Sequence, residues 1–175
     1  MKSISAREML VWVGIIAVAG IIAYSVSRGG HPDENMTGRA APSISGIDEN
    51  GVAVDLGPKE GKVTVLNLYA NWCPPCKKEI PEFSAYYSQI KDDDDVELVG
   101  VVFESGAPRA AIPEARRLGV DYPVYVGTQE ASLAYNLHSF PTTVVISPEG
   151  FITARVEGML DVPALQDLVA AARER

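Results

Sequence analysis

Apolar and polar positions divide the 175-residue chain into three stretches of different period. Residues 9–26 form an apolar run of 18 residues without a charge. As a helix at ~1.5 Å per residue, such a run spans roughly 27 Å, close to the ~30 Å of a bilayer's hydrocarbon core. Residues 27–42 (SRGGHPDENMTGRAAP) combine Gly, Pro and charges with no apolar period, the pattern of a flexible linker. From residue 43 onward, short apolar runs alternate with helical spacing. Ile44 and Ile47, then Val52 and Val54, flank the turn Asp48-Glu49-Asn50-Gly51 and predict a hairpin. VTVLNLY at 63–69 predicts a buried strand. Ile80, Phe83, Tyr87 and Ile90 then fall on one face of a helix. VELVGVVF at 96–103 predicts a second buried strand. Residues 107–118 predict a helix with Pro108 near its start, a break or kink near Pro113, and Gly119 as its stop. A short strand at 122–126 and a short helix at 130–137 follow. Strands at 142–147 and 151–157 are joined by the turn Pro148-Glu149-Gly150. Asp161 caps a last helix at 162–171, with Pro163 in its first turn. This order (hairpin, βαβ, an αβ insert, ββα) predicts an α/β sheet with helices on both faces.

The expected organisation is a short N-terminal segment at 1–8, a transmembrane signal-anchor helix at 9–26, a linker at 27–42 and one globular domain at 43–175. Trp12 and Tyr24 stand near the two ends of the span, where aromatic side chains favour the membrane interface. The competing reading is a cleaved signal peptide, with Ala23-Tyr24-Ser25 offering small residues at alternate positions. Its apolar core is usually ~7–15 residues, shorter than this run. Lys2 and Arg7 before the span balance Arg28 and Arg39 after it, so charge alone does not orient it. The net charge is −8, and 43–175 carries 11 basic against 20 acidic side chains. Nucleic acid is excluded as a partner, because phosphate binding needs the opposite sign. Asp92–Asp95 reads as a solvated loop, without the Gly and Glu spacing of a calcium loop. His31 reads as a solvated linker residue.

The chemistry sits in Trp72-Cys73-Pro74-Pro75-Cys76-Lys77-Lys78-Glu79, which holds both cysteines of the chain. A strand that delivers C-x-x-C to a helix start is a dithiol redox device. Unpaired N–H groups and the positive end of the helix dipole stabilise a thiolate there. Cys73, at the helix start, is the expected nucleophile. Cys76, one turn in, is the expected resolving thiol. A structural zinc site needs four ligands, and only His31 and His138 could join the cysteines, so no metal is expected. A purely structural bridge over so short a loop would remove little unfolded-state entropy. The expected cofactor list is empty: the working group is a redox-active disulfide, Cys73–Cys76.

These residues resemble the thioredoxin fold, and more closely the membrane-anchored TlpA/ResA/CcmG group of bacterial thiol–disulfide oxidoreductases. The likeness rests on Leu66-Asn67-Leu68-Tyr69-Ala70-Asn71-Trp72-Cys73, on Cys76-Lys77-Lys78-Glu79 and on Phe140-Pro141-Thr142-Thr143. It implies a thioredoxin fold with an N-terminal β-hairpin and a central αβ insertion, preceded by one transmembrane helix. In that fold the residue Pro141 resembles is a cis-proline facing the dithiol, which leaves the Phe140 backbone free to pair with an extended substrate chain. Trp72, Phe140, Pro141 and Thr142 are then the expected substrate-binding residues. Glu79, on the face of Cys76 one turn on, resembles the acidic residue the group keeps at its active site, against the plainer reading of a surface residue paired with Lys. Plain thioredoxin has a buried Asp where this chain has Asn67. The group's activity implies a protein-disulfide reductase acting on apocytochrome c or on metal-site cysteines. Its expected partners are a membrane thiol electron donor and the bilayer, and its expected place is the outer side of a bacterial inner membrane, facing the periplasm. Two other functions share parts of this pattern. A copper chaperone of this fold uses C-x-x-x-C, with His138 the available helper here. A peroxidase of the peroxiredoxin type carries Pro and Thr before its nucleophile, where this chain has Trp72.

Overall fold

The structure, a computed structural model, describes residues 36–174. The expected segment at 1–8, the span at 9–26 and the linker up to residue 35 lie outside the described residues. Among the described residues no helix is long and apolar enough to cross a membrane.

The sheet is built outward from β3 (Val63–Tyr69), every residue of which is buried. Its β-branched and aromatic side chains favour a pleated, two-sided core. β4 (Val96–Val102) pairs with it in parallel and β6 (Thr142–Ile146) antiparallel. β5 (Val124–Gly127) lies parallel to β4, and β7 (Ile152–Glu157) antiparallel to β6. The hairpin of β1 (Ser45–Ile47) and β2 (Ala53–Asp55) joins the far edge through β1 and β5. The seven-strand order is β2-β1-β5-β4-β3-β6-β7.

Alternation along β3 sends Val63, Val65 and Tyr69 to one face and Leu66 and Leu68 to the other. The first face packs on α1 (Pro74–Ile90), α2 (Pro108–Arg117) and α4 (Val162–Arg173), through Phe83, Ala111 and Leu165 among others. The second packs on α3 (Gln129–Ala134), Ile44, Leu56 and Met36. The α/β sheet with helices on both faces, the N-terminal hairpin and the α2–β5 insertion all form.

Three local readings change. Residues 36–42, expected as the end of a free linker, are ordered against β7. Gly38 N–H donates to the Ile152 carbonyl at 2.7 Å, and Ala41 N–H to the Gly150 carbonyl at 2.8 Å. Met36 is buried. An edge strand offers unpaired backbone groups, and this segment takes them without any apolar alternation that a sequence could reveal. Of the break or kink expected near Pro113, the break does not occur, and α2 runs through it. Burial of Ala111, Ile112 and Ala115 outweighs the one helical hydrogen bond that proline forfeits. The strand expected at 122–126 begins at Val124, because Tyr122 turns into the core and Pro123 has no N–H to give a ladder.

Candidate active site

Past the end of β3 the chain turns through Asn71 and Trp72 and enters α1 at Cys73. Asn71 fixes this turn: its N–H donates to Ser105 Oγ at 2.9 Å and its Nδ2 to the Ala111 carbonyl at 2.8 Å. Cys73 is the N-cap, and its Sγ accepts the Cys76 N–H at 3.2 Å. Pro74 and Pro75 follow, where a missing N–H costs the helix nothing. Cys73 and Cys76 are joined as a disulfide. Exposure separates them little, 3 % for Cys73 and 1 % for Cys76. What separates them is direction: Cys73 lines a cleft of about 420 Å³, and Cys76 does not.

One wall of this cleft is Trp72, Cys73, Pro74 and Pro75; the facing wall includes Leu137, His138 and Phe140. The Phe140–Pro141 bond is cis. It turns the Phe140 carbonyl oxygen toward Cys73 Sγ, at 3.6 Å. Trp72 meets Phe140 edge-on with ring centres 6.0 Å apart, and Phe103 stacks on Phe140 at 6.1 Å. Trp72 Nε1 donates to the Glu104 carbonyl at 2.9 Å, so its ring is held while 55 % exposed. Of the four expected substrate-binding residues, Trp72 and Phe140 line the cleft. Pro141 is buried beside it. Thr142 is fully buried, and its Oγ1 donates to the Ser139 carbonyl at 2.8 Å, so it braces the turn from within. Thr142 opens β6 between two neighbouring strands, and this burial takes its hydroxyl away from any docked chain. Phe103, Glu104, Leu137 and Ser139 also line the cleft and had no signal in the sequence beyond ending a strand or flanking a short helix.

Glu79 points inward from α1 and is 2 % exposed. Among the described residues no lysine pairs with it. Asn67 Nδ2 donates to its Oε2 at 2.9 Å, the Leu160 N–H donates to its Oε1 at 2.9 Å, and Tyr122 OH donates to Asn67 Oδ1 at 3.1 Å. Asn67 therefore takes part in the site by holding an acid that comes from the helix. Burial pushes the Glu79 carboxyl up to about 7, against the two donated hydrogen bonds, which favour the carboxylate.

This raised proton affinity has a consequence for stability. The folded chain holds the Glu79 proton to about pH 7, while an unfolded Glu releases it near the ordinary value of 4.5. Between those values the folded state binds more protons, so this group's contribution falls as pH rises through the window. Unfolding free energies of wild type and Glu79→Gln should therefore diverge by roughly 3 kcal/mol, in favour of the variant, between about pH 4 and about pH 8. Urea titrations at both pH values measure it, and parallel curves would place Glu79 in contact with solvent.

Residues 37–155 match the AhpC/TSA family. The chain is 31 % identical over 167 residues to thiol-disulfide oxidoreductase ResA of Bacillus subtilis, spanning 92 % of this chain and 91 % of that protein. It is 26 % identical over 113 residues to sporulation thiol-disulfide oxidoreductase A of the same organism, 63 % of this chain and 68 % of that one. Among solved structures, a thioredoxin-family thiol:disulfide interchange protein from Chlorobium tepidum TLS superposes with a TM-score of 0.66 at 26 % identity, over 79 % of this chain and 97 % of that one. StoA from Bacillus subtilis superposes at 0.63 with 22 % identity, over 73 % and 96 %, and shares the fold. The fold is thioredoxin-like.

Proposed function

The chain belongs to the AhpC/TSA family, and on that premise we infer that it is a thiol–disulfide oxidoreductase that reduces disulfides in proteins. The observation that carries this reading is the Cys73–Cys76 disulfide at the start of α1, with Cys73 opening on a cleft walled by the Phe140 backbone. In the reduced enzyme the Cys73 thiolate attacks one sulfur of the substrate disulfide, and the other sulfur leaves as a thiolate and takes up a proton. A mixed disulfide results. Cys76 then loses its proton, attacks Cys73 Sγ and expels the second substrate sulfur. Two electrons pass to the substrate, and the enzyme ends with the Cys73–Cys76 bond. Glu79, one helical turn from Cys76 on the buried face, takes the Cys76 proton.

The finer reading is a membrane-anchored member of the TlpA/ResA/CcmG group. Residues 9–26 hold it to the inner membrane, with the catalytic domain on the periplasmic side. Its substrates are the paired cysteines of apocytochrome c, or metal-site cysteines, and a membrane dithiol protein re-reduces it. Support comes from the apolar run of residues 9–26 and from the 31 % identity to ResA across nearly the whole chain. The test uses the full chain, reduced with a dithiol and freed of excess reductant. Mixed with an oxidised apocytochrome peptide bearing a C-x-x-C disulfide, it should yield two substrate thiols for each Cys73–Cys76 bond formed. Protease added to spheroplasts should digest residues 43–175. Rapid peroxide consumption with no transfer to the peptide would make the chain a peroxidase instead, and protection from protease would place the domain in the cytoplasm.

A further inference from the structure

The loop between β7 and α4 touches the site at two points. The Gly158 N–H donates to the Pro141 carbonyl at 2.8 Å, on the turn that presents Phe140 to the cleft. Two residues later, the Leu160 N–H donates to Glu79 Oε1 at 2.9 Å. Gly158 has φ +99°, a conformation that side chains disfavour, so the loop's path depends on a glycine there. Asp161 accepts the Ala164 N–H and Glu82 accepts the Val162 N–H, which pins the loop's far end to α4 and α1. Beside the loop, Glu79 lines a second depression of about 390 Å³ with Lys78, Glu82, Met159, Leu160 and Asp161. Its lining shares no residue with that of the substrate cleft.

We propose that residues 158–161 are a positioning segment through which engagement of substrate at Phe140-Pro141 lowers the proton affinity of Glu79. The inference rests on the exchange reaction above and adds a timing to it. A substrate chain paired with the Phe140 backbone holds the Pro141 turn, the turn holds Gly158, and the segment tightens the Leu160 bond to Glu79. A hydrogen bond donated to a carboxylate favours the charged form. Glu79 is then deprotonated at the mixed-disulfide stage, when Cys76 must give up its proton. After Cys76 has closed on Cys73 and the substrate has left, the loop relaxes. The proton on Glu79 passes to solvent through the second depression, away from the departing substrate. The charged and titratable groups around Glu79 are Cys76, Lys78 and Glu82 on α1, Asp161 before α4, and Tyr122 on the sheet side, with Tyr69 and Arg116 behind it. None of these lies in the substrate cleft, and the segment joins the Pro141 turn at the cleft to the acid through two backbone hydrogen bonds.

The test is made on the full chain carrying Cys76→Ser. A ten-residue peptide with one cysteine, activated as its thionitrobenzoate disulfide, is attached to Cys73. The Glu79 protonation midpoint is read from the infrared carboxyl band that Glu79→Gln removes. Attachment should lower the proton-binding constant of Glu79 at least about threefold, a half-unit fall in midpoint. In a Leu160→Pro background, which lacks the N–H, the fall should vanish. Should Leu160→Pro fail to fold, amide exchange on the otherwise native chain decides: the Gly158 and Leu160 amides should slow together on peptide attachment. An unchanged or raised midpoint overturns the proposal, as do a fall that persists without the Leu160 N–H and amides whose exchange does not change. A Cys73 that forms no mixed disulfide with the activated peptide overturns the exchange reading, and the proposal falls with it.

Discussion

Cys73→Ser should reduce disulfide exchange to the uncatalysed background, while Cys76→Ser should leave the enzyme able to attack and unable to finish. The asymmetry follows from the site. Cys73 Sγ caps α1 and opens on the cleft beside the Phe140 carbonyl; Cys76 is enclosed by the core that α1 shares with β3. A substrate sulfur can approach the first and not the second. Serine at 73 places a hydroxyl, which stays protonated at neutral pH, where a thiolate must attack. Serine at 76 removes only the intramolecular release step, so covalent partners should accumulate on Cys73 and appear as slower bands on a non-reducing gel, cleared by dithiothreitol. If Cys73→Ser is the variant that traps partners, Cys76 is the nucleophile and the roles are reversed.

The strands and the helix that carry the dithiol were legible because each has a local cause. Seven consecutive buried positions made β3 a mostly apolar run broken only by Thr64 and Asn67, and the N-cap, the two prolines and the apolar face of α1 all lie within one short stretch. Glu79 could be picked out by its spacing from Cys76, but its state could not be read. Its hydrogen-bond donors are the Leu160 N–H, 81 residues away, and Asn67 on the central strand, which only the fold brings to it. The same limit hid the cleft's far wall. Phe103, Leu137 and Ser139 are ordinary residues at element ends, and only the β4–β3–β6 order brings them opposite Cys73. Thr142 was placed with the substrate because it follows Pro141. It also opens β6, a strand buried on both faces, so its hydroxyl lies inside and bonds the Ser139 carbonyl. The ordering of residues 36–42 rests on backbone bonds to an edge, which leave no pattern in side-chain type.

The direction of electron flow should be that of a reductant. In this fold the potential follows how well the reduced nucleophile is held as a thiolate: strong oxidants lie near ~−120 mV and thioredoxin near ~−270 mV. Here the holding is poor. Pro74 and Pro75 have no N–H to give, and among the described residues Cys73 Sγ receives one backbone donor, from Cys76 at 3.2 Å. The Phe140 carbonyl oxygen stands 3.6 Å from it, with its negative end facing the sulfur. Trp72 Nε1 is committed to the Glu104 carbonyl. Lys77 and Lys78 are exposed and screened by solvent. Glu79 adds a buried carboxyl on the face of Cys76, and once ionised it opposes a thiolate there. Equilibration with glutathione should therefore give a potential nearer ~−270 than ~−120 mV; the two limits differ by about five powers of ten in the exchange equilibrium. Glu79→Gln should lower the pKa of the thiol nearest to it, by removing that negative charge, and should slow reduction of the protein substrate, by removing the acceptor for the Cys76 proton. The two effects have opposite signs for reactivity, so measuring both separates an acid that moves a proton from one that only repels a thiolate. A potential near ~−120 mV would mean that the site stabilises the Cys73 thiolate by groups other than these, and the chain would then act as an oxidant of its substrates.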